Sequence, residues 1–387
     1  MQRSIFRTFS LGISTNRDLW VYDDDREMLE GKVRFLNSAY NRQKPNAEFD
    51  STIKWSRNLK RRFAQGRAEA FSEDRIVRAS YRPFCKRWLY DSELFIDEGG
   101  SKDQMFPVGR ANLAICFSDV SSRTGYCVLA VDGIADLHFG SAIDAYQQVP
   151  LYIYENGENR ADNITDWAFD QFRKHYQGRR KSQRGLTKEA IFHYAYAVLH
   201  DPVYRDKYAS NLSREFPRIP FYRDFWQWAD WGAKLIELHI GYELVNPWPL
   251  KRADLPMNNG EPVKQGATTS MLVAIESAKR SASTKADSPK PVLKADKETG
   301  RVLLDSQTSL SGIPKEAWEY RLGSRSALEW VLDQYKERKP KDPTIREKFD
   351  TYRFADYKEK VIDLFTRVTR VSVETQATIS AMKDMER

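Results

Sequence analysis

The residues of this chain best suited to do chemistry are its cations, and they are grouped. Between Lys54 and Trp88 eleven Lys and Arg stand against three acids, Glu69, Glu73 and Asp74, and from Arg173 to Lys188 seven basic residues stand with no acid. The whole chain, with 62 basic and 54 acidic residues among 387, has a net charge of only +8, so the excess is local. Clustered ammonium and guanidinium groups neutralise phosphates and release condensed counterions, which suits a polyanionic partner. Solvated helix faces are the alternative reading.

Within those segments, Lys60, Arg61 and Arg62 are consecutive, so on a helix they fan over more than half the circumference and at least one faces solvent for phosphate contact. Arg82, Lys86 and Arg87 alternate with Tyr81, Phe84, Trp88 and Tyr90. Either the aromatics pack inward while the cations point outward, or this is a structural strand with snorkelling basic side chains. Arg179, Arg180 and Lys181 open a short cationic loop ending at Arg184, suited to lie along a phosphate backbone or to serve as a plain connection. Arg123 lies in the loop Ser118 to Gly125. That loop and the stretch Asp97 to Arg110 leave a β-rich region and are where base-reading side chains would sit.

Catalytic patterns are missing. The string nearest to the Asn-Pro-Pro-aromatic turn of an N6-adenine methyltransferase is Asn246-Pro-Trp-Pro249, in which Trp248 replaces the second proline; it reads as a turn. There is no Gly-x-x-x-x-Gly-Lys-Ser/Thr loop for ATP. Asp356-Tyr-Lys358 resembles a nuclease carboxylate-lysine string but falls on an amphipathic helix, where a solvated face accounts for it. His138, His175, His193, His200 and His239 lack metal-ligand spacing and read as structural. Cys85, Cys116 and Cys127 form no CxxC pair, which fits a reducing cytoplasm. No apolar run reaches the length of a membrane span, so neither a membrane nor a metal is an expected partner.

The elements that must position the cations follow from periodicity. Helices are expected over Arg26 to Tyr40 and Lys54 to Gln65, over Trp167–Tyr176 capped by Thr165, over Lys188–His200 capped by Thr187, and over Phe225–Tyr242. Short β-prone runs occupy Leu113–Phe117, Tyr126–Val131, Ile134–Phe139 and Leu151–Tyr154. Val292–Ala295 and Arg301–Asp305 flank a hairpin turn. Ser326-Ala-Leu-Glu329 is a capping box opening a helix, and Ala355–Thr369 reads as another. Trp226, Trp228, Trp231, Trp318 and Trp330 have the helical spacing of core residues. The fold class is α+β: a small β-sheet subdomain, a helical subdomain and C-terminal helices. The expected division is 1–50, then 51–160 (basic helix and sheet), 161–245 (helical), 246–314 (loops and hairpin, with a mobile stretch at 277–291) and 315–387 (helices).

Several ordered phrases resemble the C-terminal specificity region of type ISP restriction-modification enzymes. They are Gly12-Ile-Ser-Thr-Asn-Arg-Asp-Leu-Trp-Val-Tyr22, Tyr81-Arg-Pro-Phe-Cys-Lys-Arg-Trp-Leu-Tyr90, Ile191–His200 with Tyr204–Tyr208, Phe216-Pro-Arg-Ile-Pro-Phe221 and Gly312–Tyr335. The resemblance implies a target-recognition element that reads duplex DNA from the major groove beside a methyltransferase/helicase module encoded upstream. It also implies that residues 1–50 are a junction from the end of a methyltransferase core. S-adenosylmethionine, ATP and magnesium would then belong to modules outside this chain, which itself carries no catalytic centre and needs no cofactor. Arg17 is a candidate to organise that junction, with turn chemistry by Asn16 and Asp18 as the simpler account. A protein-interaction scaffold, or a truncated remnant docking on a methyltransferase or helicase, is the alternative.

Overall fold

The computed structural model describes residues 3–176, 184–254 and 289–387. Arg179, Arg180, Lys181 and most of the stretch 277–291 lie outside the described residues. The chain forms two units, each discontinuous in sequence: Met1–Ile240 with Lys339–Asp350 and Ala381–Arg387, and Gly241–Arg338 with Thr351–Ser380. The five sequence stretches are thus regrouped by long-range contacts.

The first unit is built on a four-stranded antiparallel sheet in the order Ser10–Leu11, Tyr146–Pro150, Ala114–Ser118, Val128–Val131. Successive side chains alternate between faces. Ile115 and Phe117 therefore join Val128, Ala130 and Val149 against Phe192, Tyr196 and Trp228 of two helices, Lys188–His200 and Phe225–Ile240. Those helices approach closely because residue 232 is glycine: a Cβ there would stand 1.8 Å from the His193 carbonyl oxygen. Thr187 and Thr165 cap their helices through the amides of Ala190 and Ala168, as their positions predict.

A second, three-stranded antiparallel sheet runs Tyr22–Asp23, Cys85–Tyr90, Ile76–Arg82. Trp20, Leu36, Tyr40, Leu59 and Phe95 form its core with the helix Arg26–Arg42. The basic helix starts at Arg57, not Lys54, because the Ser56 hydroxyl accepts from the Leu59 amide and fixes the N-terminus there. Ile134–Phe139 is not a strand. It makes single parallel bridges, Ala135 to Ser80 and Asp136 to Ile13, and then turns, so it links the two sheets without extending either.

The second unit holds a four-stranded antiparallel sheet ordered Lys251–Asp254, Thr308–Ser311, Arg301–Asp305, Pro291–Asp296, whose last two strands are the expected hairpin. The Ser326 capping box forms with both of its bonds. Trp318 and Trp330 are buried, as helical spacing suggests. Two expectations are corrected here. The last helix runs from Phe354 to Lys383, far past Thr369, since Val361, Phe365, Val368 and Val371 keep an apolar stripe going. Lys358 is not on a solvated face: its ammonium pairs at 2.7 Å with Asp305, whose side chain is 2% exposed. Asn246–Pro249 is loop, and the Trp248 amide donates to the Thr366 carbonyl at 3.0 Å.

Candidate nucleic-acid interface

At the end of the first sheet where Ser118 pairs with Tyr146, three chain segments leave together. One is the continuation of Ser10–Leu11 into Gly12–Asp18. Gly12 passes so close to the Ile134–Phe139 segment that a Cβ would lie 2.5 Å from the Asp136 carbonyl oxygen. Beyond it, Asn16 takes a positive φ of 53° and donates to Asp97 at 2.9 Å. Thr15 donates to the Asp18 carboxylate, and Tyr81 donates to it at 3.1 Å.

Arg17 is buried and pairs with the equally buried Asp97 at 2.9 Å, while donating to the Phe95 carbonyl and the Ser56 hydroxyl. Burial pulls the pKa of the Arg17 guanidinium down and Asp97 opposes that pull. The Thr-Asn-Arg-Asp phrase is therefore a locked corner that ties the basic helix, through its cap Ser56, to the sheet. Around it lies a cleft of about 520 Å³, lined by Ile13 to Trp20, Lys54, Asp136 to His138, Lys341 and Asp342. Lys54 and Lys341 are exposed and have no carboxylate partner among the described residues. Lys341 carried no sequence signal, because only folding brings it to the same cleft as Lys54.

The other two segments are the loop after Ser118 and the turn before Tyr146, and Asp144 joins them. Its carboxylate accepts from Thr124 at 2.7 Å, Ser122 and Ser141 at 3.2 Å, and Arg123 Nε at 3.2 Å. Burial pushes the Asp144 carboxyl up, but the bonds from Thr124, the Arg123 amide and guanidinium and Ser141 outweigh it and hold the group down at about 2. Arg123 also donates from Nη2 to the Ile143 carbonyl at 3.1 Å, and its side chain is 67% exposed. His138 closes the knot with Nδ1 at 3.1 Å from the Asp144 carbonyl oxygen, and the Ser121 amide donates to Ser213 at 2.8 Å.

The remaining expected contacts divide by exposure. Lys60 and Arg61 face solvent, with Lys60 over the Phe49 ring at 4.7 Å. Arg62 turns inward and donates to the carbonyls of Leu94, Ile96 and Asp97. Arg82 pairs with buried Asp136 at 2.7 Å; burial disfavours its charge, but Tyr81 and Asp136 outweigh that and raise its pKa. Lys86 pairs with Asp132 at 2.9 Å and Arg87 with Asp24 at 3.3 Å. Of the two readings of Arg82, Lys86 and Arg87, the structural strand describes where these side chains lie. Asp97, at the head of the second candidate loop, is buried in the Arg17 pair, while Val108 and Arg110 are exposed.

Among the described residues no group of three or more His, Cys, Asp or Glu is placed to hold a metal, and no helix is long and apolar enough to cross a membrane. No curated protein matches the chain. Solved structures do. A chain in the cryo-EM structure of a DrdV–DNA complex is 42% identical with a TM-score of 0.83, covering 98% of this chain and 36% of that one. The fold also matches a nuclease-deletion mutant of the type ISP restriction-modification enzyme LlaGI in complex with a DNA substrate mimic (24% identity, TM-score 0.72, 98% and 33% covered). A further match is the ATP-dependent type ISP restriction-modification enzyme LlaBIII bound to DNA (21%, 0.76, 99% and 24%). The chain thus spans about a third or less of the length of these proteins. Its sequence matches the type ISP C-terminal specificity domain over residues 4–364, and the chain belongs to that family.

Proposed function

We propose that this chain recognises duplex DNA as the specificity portion of a type ISP restriction-modification system, with no catalytic centre of its own. The observation that carries this reading is the 42% identical DrdV chain, which matches 98% of this one and is seen in a complex with DNA. Lys54, Arg57, Lys60, Arg61 and Lys341 supply the electrostatic grip; all are exposed and none has an ion pair among the described residues. Arg123 adds the contact at the sheet end. Arg62 and Arg82 act indirectly, by holding the surfaces that carry the others. In such a system S-adenosylmethionine, ATP and magnesium are bound by a methyltransferase/helicase module and its nuclease, which are this chain's partners.

The test is DNA affinity as a function of salt. Each phosphate neutralised contributes roughly 0.9 to the slope of log affinity against log salt. The K60A/R61A double substitution should then flatten the slope by roughly 1.8 while leaving sequence preference unchanged. An affinity that stays constant between about 50 and about 200 mM salt refutes the reading.

A protein-docking role is favoured by one observation. Phe9 and Phe216, 47% and 39% exposed, meet edge to face at 4.9 Å beside exposed Leu11. Co-purification with a methyltransferase or helicase, with no DNA shift, would select that role instead.

A further inference from the structure

A guanidinium has two forks, one formed by Nε with Nη2 and one by Nη1 with Nη2. In Arg123 the first fork is engaged within the protein, Nε on the Asp144 carboxylate at 3.2 Å and Nη2 on the Ile143 carbonyl at 3.1 Å. No described residue occupies the terminal fork, and the side chain is 67% exposed. The plane of the group is therefore set by the protein while its outer edge faces solvent. That is unusual for an exposed arginine, which ordinarily carries about 2 kcal/mol of rotamer entropy.

The knot behind it is rigid for a stated reason. Asp144 accepts from Thr124, Ser122 and Ser141 as well as from Arg123, and the Ser141 hydroxyl accepts in turn from the amides of Ile143 and Asp144. The carboxylate side chain is 5% exposed. Its loop is fixed at the far side too, through Ser121 to Ser213. A phosphate needs only a nearby positive charge, which the exposed Lys54, Lys60 and Lys341 already supply. A planar fork held at a fixed angle suits a target with two acceptors at a fixed spacing, and in the major groove that target is O6 and N7 of guanine.

We propose that Arg123 is a specificity-determining residue that reads one guanine in the major groove, and that Asp144 is its positioning residue. This rests on the DNA-recognition reading above. Ser122, Thr124 and Ser141 act through Asp144, and contact with the base is made by Arg123 alone.

The experiment is selection of bound duplexes from a randomised pool by the full chain, with unchanged chain, R123A and D144N in parallel. The unchanged chain should enrich a site containing guanine at a fixed position. R123A, a substitution at an exposed side chain, should lose preference at that one position, by roughly fivefold to 150-fold against the other bases, and keep the rest of the site. D144N should weaken preference at the same position while retaining the salt slope. R123A binding that falls equally for all sequences, with the salt slope flatter by roughly 0.9, means a phosphate contact and overturns the proposal. So does an R123A site identical to that of the unchanged chain. An intact preference in D144N overturns the positioning role. If the unchanged chain enriches no sequence at all, the DNA-recognition reading fails, and the inference with it.

Discussion

The corner that holds the cleft together can be tested through Asp97. Its carboxylate accepts from Arg17 at 2.9 Å, Ser56 at 2.8 Å and Asn16 at 2.9 Å, and its side chain is 2% exposed against 0% for Arg17. Asp97→Ala leaves a buried guanidinium without its counter-charge, a class of change that costs about 3–5 kcal/mol. For a unit of this size that corresponds to a melting temperature lower by roughly 6–20 °C. Asp97→Asn keeps an oxygen for Arg17 and should cost less, about 1.5–3 kcal/mol, the value of a hydrogen bond to a charged group. R17M/D97A removes both charges and should recover part of the loss, because the penalty lies in the stranded cation and not in the missing bond. With two structural units a single midpoint is ill-defined. The measurement is therefore urea-dependent hydrogen exchange read on peptides covering residues 13–20 and 94–97. A loss below about 1 kcal/mol for Asp97→Ala, or a double variant no more stable than the single, would refute the argument.

Two further outcomes follow from the helical core. His200 and His239 are buried around the Tyr196 ring, with His239 Nδ1 at 2.6 Å from the Tyr196 hydroxyl. Burial and then Arg205 hold both imidazoles below their ordinary range, His239 at about 3. The unfolded chain takes up protons near the ordinary pKa of about 6.5 and the folded one does not, so this stability is complete above that pH and declines as pH falls below it. Each histidine should cost about 1.4 kcal/mol by one pH unit below that value, well before Asp144 titrates; urea-dependent hydrogen exchange on peptides covering residues 188–200 and 225–240 that does not move across that window would contradict it. Gly232→Ala should destabilise the helix pair by about 3 kcal/mol despite the better helix former, because the new methyl meets the His193 carbonyl at 1.8 Å. Calorimetry showing a neutral or stabilising effect would count against that packing.

How far the sequence announces this structure depends on how far apart the interacting residues are. Thr165, Thr187 and Ser326 act on amides three residues away, and their caps are readable from local spacing. The strand Val128–Val131 lies within the β-prone run that predicts it and Ala114–Ser118 ends one residue past its own, with Ile115, Phe117, Val128 and Ala130 together in one core. Ile134–Phe139 has equal β-propensity but crosses between sheets, and propensity does not encode a crossing. The inward turn of Arg62 was legible in part: it follows Leu59 by three positions, so it shares that residue's buried face. Its acceptors, at Leu94 to Asp97, were not legible, because they lie on another segment.

Arg82 shows why alternation misleads at a site. A register shift between Ser80 and Arg82 moves the guanidinium off the face that a period of two assigns to it and onto Asp136, 54 residues away. The same separation explains why one half of the candidate interface was legible and the other was not. The density of Lys and Arg marks Lys60 and Arg61 without any knowledge of the fold. The pairing of Arg123 with Asp144 exists only after the sheet has brought its loops to a common end, and Lys54 and Lys341, 287 positions apart, line one cleft only in the folded chain. Charge clustering therefore reports where a chain can attract a polyanion, whereas the residues that can discriminate among sequences are those whose orientation long-range carboxylates fix. On that argument Asp97 and Asp144, which attract nothing, are as necessary to recognition as the cations they hold.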